Sequence, residues 1–246
     1  MRIDDSLPGA LPADAPLVHA AGIGVAASWG HIFGPTDVSV LPGGVTVLQG
    51  SGGRGRTALL LTLSGRMKPT SGTLEAFGRT NDAHFLFRHA AMGFIEEVDG
   101  IEQTIRVRDV LTEQLRWHAP WYRWVRQATD DDLERICRPV FGDDLQLPSL
   151  RSYVEELPEL TAALFRVAVA NIRRPELLVV GGVDNLTRVE NSNLMLDRLI
   201  ELGRTQTVVT ADVNGAPAHA GQVRVVAVDN LTDDEFVRLE PADRTN

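Results

Sequence analysis

The sequence predicts an α/β fold with a parallel-sheet core, and three observations carry that expectation. Val45-Thr46-Val47-Leu48, Leu177-Leu178-Val179-Val180 and Thr207-Val208-Val209-Thr210 are short runs of apolar and β-branched residues, the pattern of strands covered on both faces. Helical stretches alternate with them, from Thr57 to Leu63, Ala162 to Ala170 and Asn191 to Gly203. A glycine-rich loop, Gln49-Gly50-Ser51-Gly52-Gly53-Arg54-Gly55-Arg56-Thr57, joins the first run to the first helix. In α/β proteins, loops at the carboxyl ends of parallel strands are where ligands bind.

Gly50, Gly52, Gly53 and Gly55 let this loop turn with positive φ and face its N–H groups inward. Unpaired amides at a helix N-terminus and the helix dipole together attract an anion. The spacing is that of a phosphate loop, G-x-x-x-x-G-K-[ST], with Arg56 in place of the lysine. Thr57 offers the hydroxyl expected on Mg2+, and Ala58 is the next candidate contact in the same turn. The amides of Gly52, Gly53, Gly55, Arg56 and Thr57 need no side chain to cradle phosphate. Arg56 keeps the charge of lysine but not its shape. A planar guanidinium pairs with phosphate bidentately, or it fills the cradle and excludes it.

The next stretch, Leu63-Ser64-Gly65-Arg66-Met67-Lys68-Pro69-Thr70-Ser71-Gly72-Thr73-Leu74, closes the helix, turns at Pro69 and Gly72, and starts a new strand. Loop, helix and turn together resemble the ATP-binding subunits of ABC transporters, over roughly residues 20–212. The resemblance implies a P-loop NTPase-like parallel sheet with an antiparallel β portion. It implies one cassette over residues 17–246, with a helical lobe at about 104–160. ATP and Mg2+ are the implied ligands, and a membrane permease is the implied partner. The cassette would pair with a second copy or with an intact ABC ATPase, at the cytoplasmic side of the membrane.

The resemblance also implies catalytic residues that this chain lacks. The family follows its buried strand with an Asp that holds Mg2+ and a Glu that polarises water; here stand Gly181 and Gly182. The signature Leu-Ser-Gly-Gly-Gln falls on Leu157-Pro158-Glu159-Leu160-Thr161, where Glu159 places negative charge where phosphate should arrive. The switch histidine is Ala211, and the metal-contacting glutamine is Glu97. Glu97, beside Glu96, either reaches a metal or belongs to a solvated acidic loop. Asp184 either swings toward the site or serves as a turn residue in Val183-Asp184-Asn185-Leu186. Trp29 stands where the family stacks an aromatic ring on adenine, or else packs on the sheet. The metal set is therefore Thr57 and Glu97, with no catalytic side chain. Two functions follow: a transporter cassette with impaired hydrolysis, or a pseudo-ATPase serving an intact ABC ATPase as scaffold or regulator.

The rest of the chain is read in order. Residues 1–16 predict a disordered tail, and Met1-Arg2-Ile3-Asp4-Asp5 does not read as a signal peptide. Strands are expected at Leu17 to Val25 and Thr36 to Leu41. Thr104 is expected to cap a helix whose apolar face is Val107, Val110, Leu111 and Leu115. Trp117, Trp121 and Trp124, beside Tyr122, Arg116, Arg123 and Arg126, have spacings that fit one helix face, with Pro120 starting a new turn. They form either the core of the lobe or a docking surface. With 33 acidic against 24 basic side chains in 246 residues, the net charge of −9 argues against a nucleic-acid partner. The lone Cys137 excludes an internal disulfide.

Overall fold

The computed structural model describes residues 15–28, 30–95, 101–102, 104–120, 122 and 124–239. All but the last two residues of the expected tail lie outside that range. In chain order the first half comprises β1 (Val18–Ala27), β2 (Gly30–Val40), β3 (Gly44–Gln49), α1 (Arg54–Leu63), β4 (Ser71–Ala76), β5 (Arg79–Thr80), α2 (Ala83–His89) and β6 (Ala90–Gly93). The second half comprises α3 (Val107–His118), α4 (Asp130–Phe141), α5 (Glu159–Ala170), β7 (Leu177–Val180), α6 (Val189–Gly203), β8 (Thr207–Ala211), β9 (Arg224–Ala227) and α7 (Asp233–Leu239).

Five strands form a wholly parallel sheet in the order β6-β7-β8-β3-β9. Every residue of β7 and β8 is buried, as their continuous apolar runs require. Side chains alternate between two cores with the period-2 rule of a strand. Val45, Val47, Leu178, Val180 and Val208 meet α3, α4, α5 and α6 on one face. Leu48, Leu177, Val179, Val209 and Ala211 meet α1 and the second sheet on the other. Each fully buried Val or Leu contributes about 1.5–3 kcal/mol, so a one-residue slip of β7 would exchange its two buried faces and is strongly disfavoured.

The second sheet is antiparallel, in the order β2-β1-β4-β5, and supplies the antiparallel portion expected from the sequence. Between the sheets, α1 buries Ala58, Leu59, Leu60, Thr62 and Leu63 and carries the glycine loop at its N-terminus.

The helical region departs from the expectation at its start. Thr104 does not cap α3: its hydroxyl donates to Glu102 Oε1 at 2.9 Å, and Arg106 stands at the cap position. The first amides of the helix are satisfied from elsewhere, Val107 N–H by Ser152 O and Arg108 N–H by Leu150 O. Backbone carbonyls brought from more than 40 residues away thus do the work assigned to a local hydroxyl. α4 is locally capped, with Thr129 and Asp132 forming a reciprocal capping box. The expected single helix face of aromatics is also not formed. α3 ends at His118, and Tyr122 and Trp124 lie beyond it in non-helical chain.

Candidate functional site

The loop leaves β3 and enters α1 through Gly53, whose φ of 108° only glycine adopts readily. No side chain caps α1, and an uncapped helix N-terminus is the end that attracts an anion. Neither Gly50 nor Gly55 has room for a side chain. A Cβ on Gly50 would lie 2.5 Å from Val228 O, and one on Gly55 would lie 2.0 Å from Leu231 O. The segment after β9 therefore presses on the loop from outside.

Arg56 turns inward and is only 5% exposed. Its Nη1 donates to Asp184 Oδ2 at 2.7 Å, and its Nη2 donates to Asn185 Oδ1 at 3.2 Å. The guanidinium lies over Gly52, with Nη2 3.6 Å from where a Cβ would stand. Its other side meets Gly182, where a Cβ would be 2.8 Å from Nη2 and 2.5 Å from Asp184 Oδ1. Arginine and glycine here form one arrangement, because any side chain at 182 would compete with the guanidinium for the same space. Gly181 is as confined: a Cβ would fall 1.9 Å from Phe94 O. Its N–H donates to Gly93 O at 3.0 Å and its carbonyl accepts from Thr210 Oγ1 at 2.8 Å. β6 and β7 thus end closer together than a carboxylate side chain at 181 would permit.

Asp184 occupies a 3-10 turn, and its Oδ2 also accepts from Val213 N–H at 3.2 Å. Asp184 is thus a turn residue, and its carboxylate is paired with Arg56. Thr57 Oγ1 lies 3.4 Å from Gly53 O. Glu159, in the first turn of α5, is engaged internally as well. It accepts from Thr187 N–H at 2.6 Å and Asn191 Nδ2 at 2.7 Å. These bonds, that with Thr187 foremost, hold its carboxyl below the usual glutamate range. Loop, α5 and the end of β7 enclose a cleft of about 1010 Å3, lined by Arg54, Arg56, Thr57, Glu159, Arg166 and Gly182 among others.

Comparison with known proteins decides what this arrangement is. A profile of the ABC transporter family matches residues 33–180. The chain belongs to that family. The cytochrome c biogenesis ATP-binding export protein CcmA of Cupriavidus necator is 27% identical over 158 residues, 64% of this chain and 66% of its own length. The phosphonates import ATP-binding protein PhnC 3 of a Nostoc species is 34% identical over 82 residues, 32% of this chain and 31% of its own length. The chain thus spans less than two thirds of these relatives. Among solved structures, the MJ1267 ATP-binding cassette in its ADP conformation aligns over 91% of this chain and 94% of its own, with a TM-score of 0.64 at 13% identity. Clostridium perfringens cbiO1, part of the transporter complex cbiONQ, aligns over 92% and 94% with a TM-score of 0.62 at 16% identity. At such identity the likeness carries the fold, which is that of an ABC nucleotide-binding cassette.

In this cassette the structure brings together Gly50, Gly52, Gly53, Gly55, Arg56, Thr57 and Ala58, as the loop spacing predicts. Trp29 and Glu97, like Glu96, lie outside the described residues. So do Trp121 and Arg123, but Trp117, Tyr122 and Trp124 are 76%, 75% and 89% exposed, which removes them from the core of the lobe. Sequence reasoning missed Asn185 and missed the pairing of Asp184 with Arg56 across 128 positions. A bulky cation at 56 and a missing side chain at 182 were each visible, and their complementarity was the available signal. Sequence reasoning also missed Glu235, whose carboxylate accepts from the Ser51 hydroxyl beside the loop.

Proposed function

We propose that this chain is the ATP-binding subunit of an ABC transporter, held at the cytoplasmic side of a membrane by a permease, with its hydrolytic step impaired. The observation that carries the impairment is the Arg56–Asp184 ion pair, 2.7 Å long and with side chains 7% and 17% exposed. In a phosphate loop the cation at this position serves the bound phosphate, whereas here an internal carboxylate takes its place. The amides of Gly52, Gly53, Gly55, Arg56 and Thr57, with Gly50 and Ala58 beside them, remain the candidate phosphate contacts, and Trp29 the candidate adenine contact. The exposed Trp117, Tyr122 and Trp124 suit the permease contact, because large aromatic rings dominate interface energetics.

The residues present fit Mg2+ poorly. Thr57 and Glu97 are the candidate donors, and the Asp184 carboxylate is engaged by Arg56 through Oδ2. Positions 181 and 182 have no side chain to offer and no space for one.

The same ion pair favours a second reading, a pseudo-ATPase that lends surface to an intact ABC ATPase as scaffold or regulator. Phosphate release from Mg·ATP by the purified chain tests both. Release at background is expected. Turnover near about one per second, abolished by Gly55→Asp, would refute the impairment, since such a rate is ordinary for working enzymes.

A further inference from the structure

A second cavity, of about 1110 Å3, opens at the other end of the parallel sheet. Gly43, Glu176 and Thr207 line it, at the starts of β3, β7 and β8, whereas the loop cleft is lined by Gly53 and Gly181, past the ends of β3 and β7. The length of β3 separates the two sites by about 17 Å. The strand starts are tied together there, with Thr207 N–H donating to Glu176 O at 3.2 Å and Gly43 N–H to Thr207 Oγ1 at 2.9 Å. Phe77, Val140 and Leu202 give the cavity apolar walls.

Most polar groups in this cavity are spent on one another. Gln206 Nε2 donates to Asn171 Oδ1 at 3.0 Å, Arg204 pairs with Glu201 at 2.9 Å, and Glu176 lies 3.5 Å from His89 Nδ1. Arg198 is different. Its side chain is 17% exposed and its Nη2 donates to Asp144 Oδ2 at 3.0 Å, but among the described residues nothing accepts from Nε or Nη1. Gly142 leaves room for this guanidinium, because a Cβ there would stand 2.1 Å from Nη1. Arg174 is exposed at the same cavity and has no carboxylate paired with it among the described residues. Asp143 is the lining acid without a cation against it, so the cavity holds two open cations and one open acid.

We propose that this cavity is a binding site for a small monocarboxylate with an apolar body, held by Arg198 and Arg174. A planar guanidinium with free N–H groups matches a carboxylate, and one fixed by Asp144 and Gly142 loses little freedom on binding. The apolar body lies against Phe77, Val140 and Leu202, the division of labour usual in small-molecule sites. Asp143 disfavours a polyanion, which sets this site apart from the loop.

Hexanoate, hexylamine and hexanol share one apolar body and differ in the head group, so together they test the assignment. Each is titrated into the full-length chain and followed by backbone amide NMR shifts. Hexanoate is expected to bind with a Kd of about 1 mM, ordinary for a ligand of its size, and to shift residues 139–143, 171–176 and 198–207. Hexylamine and hexanol should bind about tenfold more weakly, having no charged hydrogen bond to offer a guanidinium. Arg198→Gln and Arg174→Gln should each weaken hexanoate about tenfold, whereas Arg204→Gln, whose charge Glu201 already engages, should change it less than about twofold. Thermal melting checks folding, and the exposed position of Arg174 keeps that variant informative if Arg198→Gln unfolds. Equal affinity for the three probes, or tightest binding of hexylamine, would overturn the proposal. So would hexanoate shifts centred on residues 50–58, hexanoate affinity unchanged in both arginine variants, or no saturable shift up to about 20 mM.

Discussion

The ion pair at the loop can be weighed by a double-mutant cycle on Arg56 and Asp184. Asp184→Ala leaves a guanidinium that is 7% exposed without its carboxylate. Removing one partner of a buried pair costs about 3–5 kcal/mol. Two features reduce that here: Asp184 is 17% exposed, and Asn185 Oδ1 still accepts from Nη2 at 3.2 Å. A loss of about 2–3 kcal/mol is therefore expected, which in a domain of this size lowers the melting temperature by about 4–12 °C. Asp184→Ala also frees Val213 N–H, but that cost is present with or without Arg56 and cancels in the cycle. Arg56→Ala strands the carboxylate instead. The double variant removes both charges and should be more stable than the sum of the single losses by at least about 1 kcal/mol. Denaturant melts of the four proteins give the coupling directly. A coupling below about 0.5 kcal/mol would show that the pair behaves like an exposed contact and that the guanidinium is free to serve phosphate.

Three further outcomes follow from the same geometry. Gly181→Asp and Gly182→Glu restore the side chains that working family members carry, yet both should lower the melting temperature without bringing hydrolysis, because of the 1.9 Å approach to Phe94 O and the 2.8 Å approach to Arg56; phosphate release near about one per second from either variant would contradict this. Cys137 is fully buried, and its thiol is pushed up to about 12, burial being the main cause; alkylation at pH 8 should be slow until the protein is denatured, and rapid native labelling would refute the burial. Glu159→Gln should be less stable than the unaltered protein at pH 7. The folded-state value of Glu159 is depressed, so its contribution is present above the unfolded value of about 4.3 and is lost as pH falls through the folded value. A stability gap that stays constant from pH 7 to pH 3 would show that ionisation of Glu159 plays no part.

The parallel sheet was legible because strands covered on both faces must be apolar throughout, and Leu177 to Val180 and Val208 to Val209 are. The loop was legible because glycine spacing and the helix after it are local. What escaped the sequence depends on long-range placement. Thr104 looked like a cap, but its helix begins beyond it at Val107 and takes carbonyls from Leu150 and Ser152. The aromatic cluster had helical spacing, but the helix ends at His118, so Trp117 stands on it while Tyr122 and Trp124 fall beyond it. Arg56 left two outcomes open, and the choice between them lay in Asp184 and in the missing side chain at Gly182, whose place the guanidinium takes. Only the folded backbone brings those positions together.

Calorimetric titration with ATP, with and without Mg2+, tests most directly the claim that this loop is a weakened nucleotide site. No side chain caps the helix that follows the loop, the cation is engaged by Asp184, and positions 181 and 182 offer no metal-binding side chain. The expected Kd is about 0.1–1 mM, equivalent to roughly −5.5 to −4 kcal/mol, with little change when Mg2+ is added. A low-micromolar Kd strongly enhanced by Mg2+ would contradict the account.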